Sequence, residues 1–356
     1  MTVLLTGFPG FIGRRLVRTL VAEQPDRPVV CLVEARMGDV ARTLAADIGG
    51  AVEILEGDIS RRHLGLADAD WERLKADVTH VHHLAAIYDL AVPEEIAHRV
   101  NVEGTGNVLD FCRDAAGLER LNYVSTAYVA GTRTGVAYEH ELNLGQGFKN
   151  HYEATKFQAE VWVRELIDRI PTTIYRPAIV VGDSRTGETQ KFDGPYYVLR
   201  FVAASRERNM PVANIGRGRT AFNVVPVDFV VDSMVALAGL EEAIGETVHL
   251  CDPDPLSSAE MVALLAELYA GVRPSYRVPP RAVAAALRIR QVREFYGGTP
   301  PQSIRYLNHP VRYDTRRATE LLASSGLRCP RFAEYAPAMV EFFREHEDDP
   351  GLRPGS

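Results

Sequence analysis

Cysteine is scarce in this chain. Its 356 residues include four, Cys31, Cys112, Cys251 and Cys329, with no C-x-x-C spacing among them. That argues against a disulfide framework or a cysteine-based zinc site, and it suits a reducing, cytoplasmic setting. No run of about 18 apolar residues exists, so no transmembrane helix is expected. The start lacks a charged segment followed by an apolar leader, because strand-like residues begin at once. Positive charge is not in excess either. The net charge is −7, which leaves no basic footprint for nucleic acid. Internal repeats and low-complexity tracts are absent. The remainder, 46 % hydrophobic and 24 % charged, is ordinary for a globular chain long enough for one large or two interlocked domains.

Glycine, by contrast, is concentrated where it matters. The first thirteen residues read MTVLLTGFPGFIG. Val3, Leu4 and Leu5 suit a strand buried on both faces of a parallel sheet. A turn follows, and then the helical pattern RRLVRTLVAEQ. The spacing G-x-x-G-x-x-G differs from the better-known G-x-G-x-x-G, but its place between strand and helix predicts a pyrophosphate cradle. Its residues are Gly7, Phe8, Pro9, Gly10, Phe11, Ile12 and Gly13.

Later strand ends extend the pattern. PVVCLV at 28–33 leads into Glu34, whose carboxylate suits the adenosine ribose hydroxyls and repels a 2′-phosphate. Arg36, two positions on, offers a cation to that same phosphate, so the preference leans to NAD(H) and stays open. A third strand, Val52 to Leu55, leads to Asp58 and Ile59, an acid and an apolar residue suited to an adenine. A fourth, Val78 to Leu84, runs into Ala85 and Ala86, small enough for backbone to approach a cofactor. His80 and His82 fall on one face of that strand and His83 on the other, so structural histidines are expected and no metal site. Tyr88 and Asp89 follow and are expected at the mouth of a substrate cleft. Asn101 opens the next helix, as a bridge to ordered water or as a structural amide.

The fifth strand, Arg120 to Val124, ends in Ser125 and Thr126. About twenty residues later comes HYEATK at 151–156. Tyr152 and Lys156, four apart, share one helix face. A cation near a phenol lowers its pKa from about 10, which makes Tyr152 a candidate general acid or base.

Taken in order, these segments resemble the extended short-chain dehydrogenase/reductase family. The resemblance rests on TGFPGFIG at 6–13, GDI at 57–59, HLAA at 83–86, NVEGT at 101–105, STAYV at 125–129, Tyr152 with Lys156, and YRPAIV at 175–180. It implies a Rossmann α/β sheet, doubly wound and parallel, with a smaller α/β substrate lobe. It also implies an NAD(P)(H) cofactor and a Thr126–Tyr152–Lys156 centre, with Ser125 as the weaker hydroxyl candidate and Asn101 in support. Pro177 and Ala178 map to backbone that meets the nicotinamide. GDSRTGETQKFDGPYYVLRFV at 182–202 and NVVPVDFVVDSM at 223–234 are similar to the fatty acyl-CoA and thioester reductase branch, also called male-sterility-like. That branch usually carries Arg where Glu34 stands, and it leans to NADP(H).

The implied activity is reduction of an acyl thioester or aldehyde, with an acyl carrier as one partner and a homodimer as one assembly. Two other reactions fit the same centre. One is oxidoreduction of a ketone or secondary alcohol of steroid or dihydroflavonol type, and the other is sugar-nucleotide epimerisation or dehydration. A non-catalytic cofactor sensor is the third alternative. The domain plan places the Rossmann unit at 1–182, with 223–250 returning to it. The substrate lobe takes 183–222 and 251–345, and 346–356 form a loose tail. Within the lobe, Asn223–Phe229 reads as a strand returning to the sheet and Ser257–Tyr269 as a helix capped by Ser257 or Ser258. Pro280–Phe295 reads as one amphipathic helix that counts five arginines with Arg277; it is expected to lid the substrate cleft, to touch a membrane surface or to bind an acidic carrier or a CoA phosphate, with a plain solvated helix face as the alternative. Arg312, Arg316 and Arg317 are expected to close the lobe.

Overall fold

The computed structural model describes residues 2–88, 92–296 and 298–353. Asp89, expected at the cleft mouth, lies outside them. Seven strands form one sheet: β1 (Thr2–Thr6), β2 (Val29–Val33), β3 (Val52–Glu56), β4 (Val78–His83), β5 (Arg120–Val124), β6 (Thr172–Pro177) and β7 (Thr247–Leu250). All pairings are parallel, in the order β7-β6-β5-β4-β1-β2-β3. The strand order reverses between β1 and β4. In doubly wound sheets of this kind, ligands bind beyond the carboxyl ends of the strands at that reversal.

The sequence explains the layering. β2, β5 and β6 are buried along their whole length; β2 is a continuous apolar run, while β5 and β6 also bury Arg120, Asn122 and Arg176 on hydrogen-bond partners. Helices Phe11–Glu23, Val227–Ala238 and Arg316–Leu322 cover one face around Leu5, Leu16 and Val230. Helices Asp68–Asp77, Gly104–Asp114 and His151–Glu165 cover the other around Leu4, Phe111 and Val163. A second core joins helices Tyr196–Glu207, Ser258–Ala270 and Phe332–His346 through Phe192, Leu199, Leu265, Met339 and Phe343. Ser257 caps the middle one in a reciprocal box with Glu260.

Four expectations need correction. The strand read at Asn223–Phe229 is only Val224–Pro226, and it pairs with Ile179–Val181 outside the large sheet. Pro226 lacks an N–H, and helix Val227–Ala238 begins beside it. Pro280–Phe295 is two helices, Pro280–Ala286 and Arg290–Phe295, because the chain turns to bury Leu287 in the second core. Arg312 lies on a strand that pairs with Gly135–Ala137. Arg316 is held by Asp314, Arg317 reaches Glu246 at 2.7 Å, and Ala318 and Leu321 pack in the sheet-side core, so this segment does not close the lobe. Residues 347–353 are docked, with Phe192 N–H donating to the Leu352 carbonyl at 2.8 Å and the Tyr269 hydroxyl to Glu347 at 2.6 Å. No helix among the described residues is long and apolar enough to cross a membrane.

Candidate active site

A cleft of about 1240 Å³ runs from the glycine turn to the second core. At its first end Gly7 has φ +97°, and a Cβ there would lie 2.9 Å from the Ala85 nitrogen. A Cβ on Gly13 would lie 2.5 Å from the Gly7 carbonyl oxygen. Any side chain at either position would force the turn open. Gly10 is the N-cap of helix Phe11–Glu23, which has neither a side-chain cap nor an acid in its first turn. The free N–H groups and positive dipole end are thus left for an anion. Thr6 Oγ1 accepts from the Ala85 N–H at 3.2 Å and lies 2.7 Å from His83 Nδ1, whose Nε2 reaches Thr105 Oγ1 at 3.1 Å. His83 therefore ties β1 and β4 to the next helix, while His80 faces Arg27 on the far side of the strand.

Beyond the turn, Glu34, Arg36, Asp58 and Ile59 line the same wall. Arg36 Nε donates to Glu34 Oε2 at 2.5 Å, and both side chains are largely exposed. Asp58 Oδ1 accepts from the Ser60 N–H at 2.9 Å and its hydroxyl at 2.7 Å. Ile59 packs on Gly104, where a Cβ would come within 2.8 Å.

The middle of the cleft collects the reactive groups. β5 leads directly into Ser125 and Thr126. Asn150 caps helix His151–Glu165 by accepting from the Glu153 N–H at 2.9 Å, and the helix then presents Tyr152 and Lys156. Burial pushes the Tyr152 phenol up to about 12, although the hydrogen bond with Thr126 pulls the other way. Tyr88 meets the Tyr152 ring edge-on, with centroids 5.1 Å apart. Lys156 is 2 % exposed and donates to the Tyr123 hydroxyl at 3.1 Å and the Val124 carbonyl at 2.8 Å. Burial lowers its pKa to about 7, and Glu160 partly opposes that shift.

Thr126, Tyr152, Lys156 and Ser125 line this cleft together with every residue expected to hold a cofactor, Pro177 and Ala178 included. One detail differs from expectation, and two bear on alternatives that the sequence left open. Lys156 is occupied by Tyr123 and Val124, and the phenol sits above its ordinary value because burial outweighs its polar neighbours. Ser125 donates to buried Glu160 at 2.6 Å, whereas the Thr126 hydroxyl accepts from the Tyr128 N–H at 3.3 Å and shares a hydrogen bond with the Tyr152 phenol, which sets Thr126 beside the acid–base residue. Asn101 is buried outside the cleft wall. It accepts from the Ile87 N–H at 2.8 Å and donates to Thr155 Oγ1 at 3.0 Å, fastening the Ala85–Tyr88 segment to the Tyr152 helix. Asn101 is thus a positioning residue whose polar atoms are already engaged.

Sequence reasoning missed Glu160, Asp193 and Tyr306. Glu160 stands four residues beyond Lys156, and continuing the 152, 156 spacing would have found it. Asp193 lines the cleft, and burial pushes its carboxyl up to about 6. Tyr306 donates to Glu153 at 2.8 Å, tying a lobe segment to the start of the Tyr152 helix. No local signal marks either of the last two.

A sequence model of an NAD-binding family, described as male sterility protein, matches residues 5–234. The chain belongs to this male sterility protein family. Within the family frame it is an extended short-chain dehydrogenase/reductase of the reductase branch and an NAD(P)-dependent oxidoreductase. It is 26 % identical over 280 residues to the fatty acyl-CoA reductase wat of Drosophila melanogaster, an alignment covering 66 % of this chain and 53 % of the relative. The terminal R domain of the myxalamid PKS-NRPS pathway superposes with TM-score 0.82 at 25 % identity, covering 99 % of this chain and 92 % of that one. A UDP-glucuronic acid 4-epimerase from Bacillus cereus, in complex with NAD, shares the fold at TM-score 0.68 and 18 % identity, covering 97 % of both chains. The chain spans from 5 % to 53 % of the length of the curated relatives it matches.

The glycine cradle, the uncapped helix N-terminus and the Glu34-to-Ile59 wall fit a nicotinamide dinucleotide, NAD(P)(H). A cofactor laid from Glu34 to Ala178 would leave the apolar arm of the cleft, between the sheet and the second core, for substrate.

Proposed function

We propose that this chain reduces an acyl thioester to an aldehyde at the Thr126–Tyr152–Lys156 centre. The observation that carries this reading is that centre's place where the cofactor cradle meets an apolar arm lined by Phe201, Ile215, Val262, Val283, Leu287 and Ile304. Such a wall suits an acyl chain and offers few partners to the hydroxyls and phosphates of a sugar nucleotide. In this division of labour, 1–182 hold the cofactor, and 223–250 back the sheet with helix Val227–Ala238 and strand β7. Residues 183–222 and 251–345 hold substrate, apart from 311–322, which pack on the sheet.

Bound in the cradle, the nicotinamide supplies hydride. Thr126 holds the carbonyl oxygen, and Tyr152 gives it a proton as negative charge develops there. Lys156, buried at the C-terminal end of β5, would hold the nicotinamide ribose with the one N–H that Tyr123 and Val124 leave over. A thioester carbonyl reduced once becomes a hemithioacetal, which expels its thiol to leave the aldehyde. An acyl group on a carrier is the substrate form that this reading favours.

The test follows reduced-cofactor absorbance with an acyl thioester panel and, separately, with ketones. Turnover with thioesters and release of free thiol support the proposal; turnover confined to ketones would sink it. Cofactor choice is a second expectation. Glu34 should make NADH bind more tightly than NADPH, and Glu34→Gln should free Arg36 and shift the ratio toward NADPH about tenfold, the worth of one charge-assisted hydrogen bond. Equal affinity for both cofactors in the parent would refute the role given to Glu34.

A further inference from the structure

The lobe carries a charge pattern that the reaction centre does not use. Residues 272–313 hold eight arginines and a single acid, Glu294, in a chain whose net charge is −7. Two of the eight are paired, Arg273 with Glu267 and Arg290 with Glu294. Arg277, Arg281, Arg288 and Arg293 are exposed and have no carboxylate partner among the described residues. Elsewhere on the surface, guanidinium groups at Arg42, Arg73 and Arg113 each meet an acid.

The placement is specific. Strand Tyr276–Val278 pairs with Ala213–Ile215, setting Arg277 opposite Asn214. A Cβ on Gly216 would lie 3.0 Å from Pro280, so exposed Arg217 joins Arg277 and Arg281 at one edge. Their neighbours Val278, Ala282 and Val283 line the lobe end of the cleft, while the arginines lie outside its lining. Between Arg288 and Arg290, Ile289 is 54 % exposed.

We propose that this arginine lip docks an acidic carrier domain that delivers the acyl group on a phosphopantetheine arm. The proposal rests on the thioester reading above. A free phosphate is best held by convergent, sheltered donors. These guanidinium groups instead stand at exposed positions on a strand, two short helices and a loop, with Ile289 exposed between Arg288 and Arg290, the mixture of apolar and charged groups that suits a transient protein interface. The arm then needs only to pass the lip to bring its thioester to Tyr152.

The experiment compares the parent with Arg217→Glu/Arg281→Glu on three substrates bearing one acyl group: an acidic carrier domain, coenzyme A and N-acetylcysteamine. For the carrier, kcat/KM should fall about tenfold or more through KM, and the parent's value should drop with added salt. Turnover of the N-acetylcysteamine thioester should be unchanged, which also reports an intact fold. An equal fall for acyl-CoA and acyl-carrier would overturn the docking surface in favour of a phosphate site. So would unchanged carrier kinetics alongside lost sedimentation with phosphatidylserine vesicles, which would mark a membrane face. If the parent fails to reduce even the N-acetylcysteamine thioester, the thioester reading itself has failed.

Discussion

Tyr152→Phe is expected to lower kcat for thioester reduction about 10²–10⁴-fold, the usual contribution of a positioned proton donor. The substitution removes one oxygen and keeps the ring, so its edge-on contact with Tyr88 survives. Reduced-cofactor affinity, measured by fluorescence titration, should change little because Tyr152 stands apart from the glycine turn. The pH dependence separates the two directions of reaction. Burial holds the phenol up to about 12, so it carries its proton throughout the neutral range and the reductive direction keeps its donor. Oxidation of the corresponding alcohol needs the phenolate, so its rate should rise with pH over that same range. A Tyr152→Phe variant that retained the parent kcat would refute the mechanism.

The second large effect concerns stability. Glu160 is fully buried and Arg176 is 2 % exposed, with Arg176 Nη2 donating to Glu160 Oε1 at 2.5 Å. Arg164 adds a bond to the same oxygen at 3.0 Å, and Ser125 closes the set. Arg176→Met leaves a buried carboxylate short of its main partner, which should cost about 3–5 kcal/mol. Denaturant midpoints at unchanged m-value would measure it. Adding Glu160→Gln should recover part of the loss, whereas a double variant as unstable as the sum of the singles would mean that the pair is not coupled. Burial alone would raise the Glu160 pKa, but Arg176 and its neighbours hold it below the ordinary value. A depressed folded-state pKa adds stability that is complete above the unfolded value of about 4.3 and lost as pH falls through the folded one. Acid unfolding should therefore begin at higher pH in Arg176→Met.

The first half of the chain was legible because its signals are local. β5 falls on Arg120–Val124 as read, and β1 to β4 lie within a residue or two of expectation. Gly7 and Gly13 are required by backbone contacts within a few residues of the turn and at the end of β4, so the motif carries its own geometry. Tyr152 and Lys156 share a helix face because four residues make about one turn. What failed was non-local. Whether Lys156 faces the Tyr152 phenol depends on Tyr123 and Val124, and whether Ser125 is free depends on Glu160. Arg312 to Arg317 close the sheet side because residue 311 pairs with residue 135, a partner no short window contains. Leu287 broke the expected long helix because its burial partners come from the second core.

The place of β7 carries a consequence in time. β6 ends at Pro177 and its sheet neighbour begins at Thr247, so residues 178–246 separate the two. At translation speeds of about 5–20 residues per second, β6 waits roughly 4–14 s as a bare sheet edge during synthesis. That edge is a hazard to the nascent protein, since an unpaired row of N–H and C=O groups invites a neighbouring chain to add a strand. Versions trimmed at the family boundary near residue 234 would keep it uncovered for good and should be recovered as aggregates, while versions carried past residue 250 would cover it.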